Sequence, residues 1–301
     1  MMRRFSLLGA GVALLALSSS APAADAAAPA KPSSETYSLR YKFKPGESIR
    51  WQVIHRAKIQ TSVSGTTQTA ETLSSSVKLW RVTKVQPDGT ATFEHLVESV
   101  DMRQKLTGRQ EVRYNSQTDA KPPLGFEAVA ESIGVTLSVV TLDPTGRIVE
   151  RQRKPARAAV ESDGLITIPL PQEPAAIGHT WSHPYQIDAR LPSGGVKRVK
   201  AAQQFTLESV KAGVATINVV THILTPIDDP AIQAQLIQRE SAGTVRFDIG
   251  AGRVLSQQMD LDKQVVGFRG PASSLHYNTR FTEELLTKPA QTAGKPQPAA
   301  K

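Results

Sequence analysis

Trp51-Gln52-Val53-Ile54-His55-Arg56-Ala57-Lys58-Ile59-Gln60 sets Trp51, Val53, His55, Ala57 and Ile59 at alternate positions, with Gln52, Arg56, Lys58 and Gln60 between them. Successive side chains of an extended chain point to opposite faces, so a period of two marks a strand with one buried face. Val77–Val85 and Thr90–Val100 follow as further strands. The intervening Gln86-Pro87-Asp88-Gly89 is a turn in which Pro presets one φ angle and Gly supplies a positive one. These segments therefore predict a hairpin. Turn residues continue to punctuate the chain at intervals of about ten residues, the pattern of a mostly antiparallel β protein. Helical spacing is confined to Phe126–Ile133 and Pro230–Arg239, the second opened by Asp228-Asp229-Pro230 in N-cap and N1 chemistry.

The chain states one plan twice. Gly46 and Trp51 lead to Val85, to Gly89-Thr90-Ala91-Thr92-Phe93, to a short helix and to Asp143-Pro144-Thr145-Gly146-Arg147-Ile148. Gly178 and Trp181 lead in the same order to Val210, to Gly213-Val214-Ala215-Thr216-Ile217, to a short helix and to Asp248-Ile249-Gly250-Ala251-Gly252-Arg253-Val254. The fold class expected is mainly β: two similar halves of antiparallel strands forming one large curved sheet or half-open barrel. Each half carries one short helix, covering the concave side. Asp143 and Asp248 are expected to open tight turns, a structural role.

Boundaries follow from composition. Arg3 and Arg4, the apolar run Phe5–Leu17 and the small residues Ala21-Pro22-Ala23 and Ala24-Asp25-Ala26 give residues 1–26 the plan of a secretory signal peptide. Residues 27–36 are expected to be a flexible linker, 37–160 and 161–286 the two β halves, and 287–301 a disordered tail rich in Lys, Pro and Ala. No later segment is apolar for the roughly 20 residues a spanning helix requires, so the mature chain is expected to have no transmembrane segment. Export, to the periplasm or the exterior, is the expectation. The chain has no cysteine, which excludes a disulfide framework and thiolate metal sites. Net charge is +9 and diffuse, with short runs at Arg151–Lys154 and Lys197–Lys200 read as solvated strand edges. Nucleic acid is not an expected partner of an exported chain.

Little in the sequence supports catalysis. Of six histidines, His179 and His183 are four apart, but Trp181 and Pro184 argue for extended chain, where four residues span about 13 Å, too far for one ion. No metal site and no cofactor is expected. His55 and His95 each interrupt an apolar alternation and would form a polar site if their strands were neighbours. No Gly-x-Ser-x-Gly elbow, P-loop or calcium loop occurs, and the carboxylate pairs Asp260/Asp262 and Glu283/Glu284 look surface-like.

Tyr37-Ser38-Leu39-Arg40-Tyr41-Lys42-Phe43-Lys44-Pro45-Gly46-Glu47, with Gly-x-Ala-Thr-Phe and Asp-Pro-Thr-Gly-Arg-Ile further on, resembles a family of uncharacterised secreted bacterial proteins with a domain of unknown function. The resemblance covers most of residues 37–286 and implies no catalytic residues. The expected architecture is also similar, by analogy, to the half-barrels of periplasmic lipoprotein carriers, from which this chain departs in lacking a lipobox cysteine.

The reading is a non-enzymatic exported protein that binds a lipid or other apolar or amphiphilic ligand, or an envelope protein or polymer, in the hollow of its sheet. Trp51, Val53, Ile59, Phe93, Trp181, Tyr185 and Ile217 are the candidate lining. The alternatives are a structural or assembly module of the cell envelope and, third, an envelope-polymer hydrolase.

Overall fold

The computed structural model describes residues 35–153, 165–191 and 194–287. The expected signal segment at 1–26, linker residues 27–34 and tail residues 288–301 lie outside the described residues, as does Lys154 of the first basic run.

In chain order the elements are β1 (Thr36–Tyr37), β2 (Ser48–Val63), β3 (Thr66–Val85), β4 (Ala91–Leu106), β5 (Val112–Asn115), α1 (Glu127–Ser132), β6 (Ser138–Leu142) and β7 (Ile148–Arg153). They continue with β8 (Ala175–Ala176), β9 (Thr180–Arg190), β10 (Val196–Lys211), β11 (Val214–Ile223), α2 (Pro230–Leu236), a 3-10 turn at Ile237–Arg239, β12 (Ala242–Asp248), β13 (Arg253–Val266) and β14 (Ser273–Leu285). Both helices fall where the spacing predicts them. Asp229 caps α2, its carboxylate accepting from the Ala231 amide at 2.8 Å, with Pro230 next to it in the first turn.

Twelve strands form one antiparallel sheet that is not closed. The order across it is β7-β6-β4-β3-β2-β14-β13-β12-β11-β10-β9, with β5 added beside the far half of β4. β1 and β8 form a separate two-stranded pair. Two meanders, β2 to β7 and β9 to β13, each run strand, strand, strand, helix, strand, strand apart from the short extra β5, and β14 joins them by pairing with both β2 and β13. Among the described residues the strand order ends at β7, with Glu150, Arg151 and Arg153, and at β9, with Pro184 in mid-strand; charge and proline both discourage pairing with another chain. The second basic run lies on β10, one strand inside the edge, where Val199 is fully buried.

One face of the sheet is apolar. At one end it folds over two extended segments that carry no strand pairing with it, residues 39–43 and 165–170. Leu39, Tyr41, Ile168 and Leu170 pack with Phe205, Leu207, Ile217, Val245 and Phe247 of the second meander. A second cluster, Ile49, Trp51, Trp80, Val82, Phe93, Val140 and Leu142, belongs to the first meander, and Phe43 packs against both. The two Asp-initiated turns grip the first segment: Tyr41 donates its amide to the Pro144 carbonyl at 2.8 Å and Lys42 to that of Gly252 at 3.0 Å. Gly146 and Gly252 both have positive φ, and each lies so near this segment that a Cβ would collide with Tyr41 or Lys42. Asp143 accepts from the amides of Thr145 and Arg147 and Asp248 from that of Ala251, so both aspartates act as turn formers.

At the other end of the same face the helices take over. α1 sits by Val100, Tyr114 and Phe126, and α2 by Ala189 and Val199. Between the two covered ends lie the long central strands β3, β2, β14 and β13.

Candidate functional site

The antiparallel register brings side chains of the four central strands into rows on the apolar face. Ser76, Val53, Glu283 and Gln257 stand in line across β3, β2, β14 and β13. The next rows are Ser74, His55, Phe281 and Met259, then Thr72, Ala57, Thr279 and Leu261, then Ala70, Ile59, Tyr277 and Lys263. Val53, His55, Ala57, Ile59, Met259, Tyr277 and Phe281 are all half-buried; Val53 and Met259 pack against the two end clusters, while Ile59, Tyr277 and Phe281 belong to none of the four packed clusters. Desolvation lowers the pKa of His55 and raises that of the Tyr277 hydroxyl, so water is partly excluded from this strip.

A buried ion pair closes the strip at the packed end. Lys78 Nζ lies 2.6 Å from Glu283 Oε1, and the side chains are 13% and 6% exposed. Gln257 Nε2 donates to the second carboxylate oxygen at 3.1 Å. The ammonium lies 4.7 Å from the centre of the Trp51 ring and 5.1 Å from that of Trp80, within cation–π range. Glu283 therefore differs from the surface-like reading of the Glu283/Glu284 pair: alternation places Glu283 inward and Glu284 outward. Lys78, Glu283 and Gln257 are the polar groups that sequence reasoning missed. The available signal was Lys78 in phase with Ser74, Ser76 and Trp80, and Glu283 in phase with Phe281 and Leu285.

The seven expected lining residues divide. Trp51, Phe93 and Ile217 are at most 2% exposed and belong to packed clusters. Phe93 stacks on Trp80 at 4.3 Å between centroids, and the Trp51 indole donates to the Val254 carbonyl at 3.2 Å. Trp181 is half-buried against the second meander's core, its indole donating to the Pro169 carbonyl at 2.8 Å. Tyr185 stacks beside His183 on edge strand β9. Val53 and Ile59 lie on the half-buried central strip, Val53 at its edge and packed against the first meander's cluster.

His55 and His95 are not brought together. β3 separates their strands; His55 is opposite Ser74 and His95 opposite Trp80, six residues apart along β3, or about 20 Å. His95 lies instead beside Ser138 of β6. His183 lies on β9 and His179 in the turn just before it, and among the described residues no group of three or more His, Asp or Glu is placed to hold a metal ion.

No family model and no curated protein matches the chain. Among solved structures it is similar to lipovitellin, from a study of lipid–protein interactions, at 12% identity and a TM-score of 0.41, over 86% of this chain and 27% of that one. DynF from the dynemicin biosynthesis pathway of Micromonospora chersina aligns at 9% identity and a TM-score of 0.22, over 88% of this chain and 95% of that one. Pseudomonas aeruginosa OpdQ aligns at 7% and 0.23, over 80% and 99%. The chain thus spans about a quarter of lipovitellin's length.

Proposed function

We propose that this chain is an exported, non-enzymatic binding protein that holds an amphiphilic ligand along the half-buried strip of its central strands. One observation carries the reading. An apolar face is covered at both ends and left half-covered in the middle, where Ile59, Tyr277 and Phe281 lie on two adjoining strands outside the packed clusters, bordered by Val53 and Met259 at the edge of those clusters. Burying the remaining surface of such side chains favours an apolar chain by about 25 cal/mol per Å². His55, Gln257 and the Lys78–Glu283 pair give one end of the strip a polar character suited to the head of an amphiphile. Residues 1–26, with the plan of a signal peptide, support export to the periplasm or exterior.

Native mass spectrometry of gently purified protein tests this. A co-purifying mass of lipid size, lost when Phe281→Asp is introduced, is the expected result. Repeatedly bare protein that also fails to take up a short-chain amphiphile would overturn the reading.

A further inference from the structure

The opposite face of the same strands carries a groove of about 830 Å³ whose walls are charged. Its central line runs Arg103, Leu73, Arg56, Arg280 across β4, β3, β2 and β14, and the row continues past the groove to Arg113 of β5, so four arginines occupy five consecutive cross-strand positions. Arg103 is directly opposite Arg113, and Arg56 directly opposite Arg280. Like charges in such pairs repel. Other cations of the row and groove have a carboxylate of their own: Arg280 donates from Nε and Nη2 to Asp260, Lys58 pairs with Glu71 at 2.9 Å, and Arg113 with Glu111 at 2.6 Å. Asp262 is taken up by His276 and Asn278. Among the described residues, the side chains of Arg56, Arg103 and Lys105 form no hydrogen bond or close ion pair, although the Glu111 carboxylate, held by Arg113, also feels the charges of Arg103 and Lys105.

We infer that Arg56, Arg103 and Lys105 form a binding site for an oxyanion, a phosphate or phosphate monoester, seated over Leu73. Arg56 and Arg103 stand on either side of β3, about 10 Å apart at the backbone, a gap their side chains can close from both sides. Lys105 is two residues from Arg103 on the same face. Two guanidinium forks and an ammonium supply more donors than a phosphate has free oxygens, and guanidinium planes match it in bidentate fashion. A bound dianion also neutralises the repulsion between Arg56 and Arg280. The site is on the face away from the proposed amphiphile strip and stands independently of that reading.

Isothermal titration of the chain with inorganic phosphate, and separately with dihexanoyl phosphatidic acid below its micelle concentration, tests the inference. Saturable binding is expected, with a loss of about tenfold or more for each of Arg56→Gln and Arg103→Gln. Lys84→Gln, an exposed cation at the far end of β3, should bind as the parent does. Equal affinity for both probes identifies a free oxyanion as sufficient, whereas tighter binding of phosphatidic acid identifies a lipid headgroup. No saturable binding of either probe, or an equal loss in Lys84→Gln, overturns the site. Thermal melting of the variants without ligand guards against misfolding: Arg56→Gln should melt no lower than the parent, because it removes a like-charge contact.

Discussion

Replacing Glu283 by Gln should destabilise the protein far more than replacing both members of its ion pair. The two charges are 2.6 Å apart, which at an effective dielectric of about 20 is an attraction of about 6 kcal/mol. Bringing each ion out of water costs several kcal/mol, so the pair contributes little net stability as built. The single change acts differently. It leaves the Lys78 ammonium buried without a counter-charge, beside the Trp51 and Trp80 rings and a neutral amide, and costs about 3–5 kcal/mol, a fall in melting temperature of about 10 °C in a protein of this size. Lys78→Met, which strands the carboxylate, should cost a similar amount. The double variant Lys78→Met with Glu283→Gln should recover most of the loss, because the amide can still accept from Gln257 and the methionine fills the space of the lysine stem. Urea denaturation at pH 7 of the four proteins gives the coupling energy directly, provided the m-values agree. A double variant as unstable as the sum of the singles would refute the reasoning.

Stability should fall on acidification below about pH 6.5, because burial lowers the folded-state pKa of His55 and His183 and the unfolded chain then binds more protons; His55→Gln should flatten that slope in denaturation curves taken between pH 5 and 7. Gly146→Ala should cost about 3 kcal/mol, since φ is +79° and the new Cβ meets Tyr41 and the Ile168 carbonyl. Gly46→Ala, with φ +78° but open space, should cost about 1 kcal/mol, and equal melting temperatures for the two would remove packing from the explanation. Asp229→Ala should cost about 1 kcal/mol and speed amide exchange in α2 ahead of the sheet.

The strand alternation of Trp51–Ile59, the Gln86–Gly89 turn and both helices were legible because each rests on local chemistry: period two, a Pro-Gly turn, an Asp-Pro start. Register was not. β4 reads Phe93, His95, Val97 on the apolar face, and an unbroken alternation would have put Arg103 and Lys105 there too. A bulge at Glu98, between the pairs Lys78/Val97 and Val77/Ser99, exchanges the faces, so that Val100 and Met102 turn inward and Arg103 comes into line with Leu73 and Arg56. Glu98 itself is taken by Arg50 through two hydrogen bonds of 2.8 Å. The arginine row of the groove depends on that one inserted residue and on pairings between strands more than 200 positions apart, such as Arg56 with Arg280. The expected lining erred towards the largest apolar residues for a related reason. Alternation identifies a buried face, but it does not distinguish the part of that face filled by residues 39–43 and 165–170 from the part left half-open.

Every pairing within the large sheet is antiparallel, so strands two places apart run parallel. β2 and β13, the inner strands of the two meanders, are such a pair, and they could not have joined directly in an antiparallel ladder. β14 resolves this by presenting hydrogen-bonding edges to both, over thirteen residues matched to β2 and eleven matched to β13. The joining strand also carries part of each candidate site: Glu283, Phe281 and Tyr277 on the apolar face, Arg280 on the groove face. Strand direction alone therefore requires a connector between the two meanders, and its period of two ties the sheltered strip and the charged groove to the same thirteen residues, back to back.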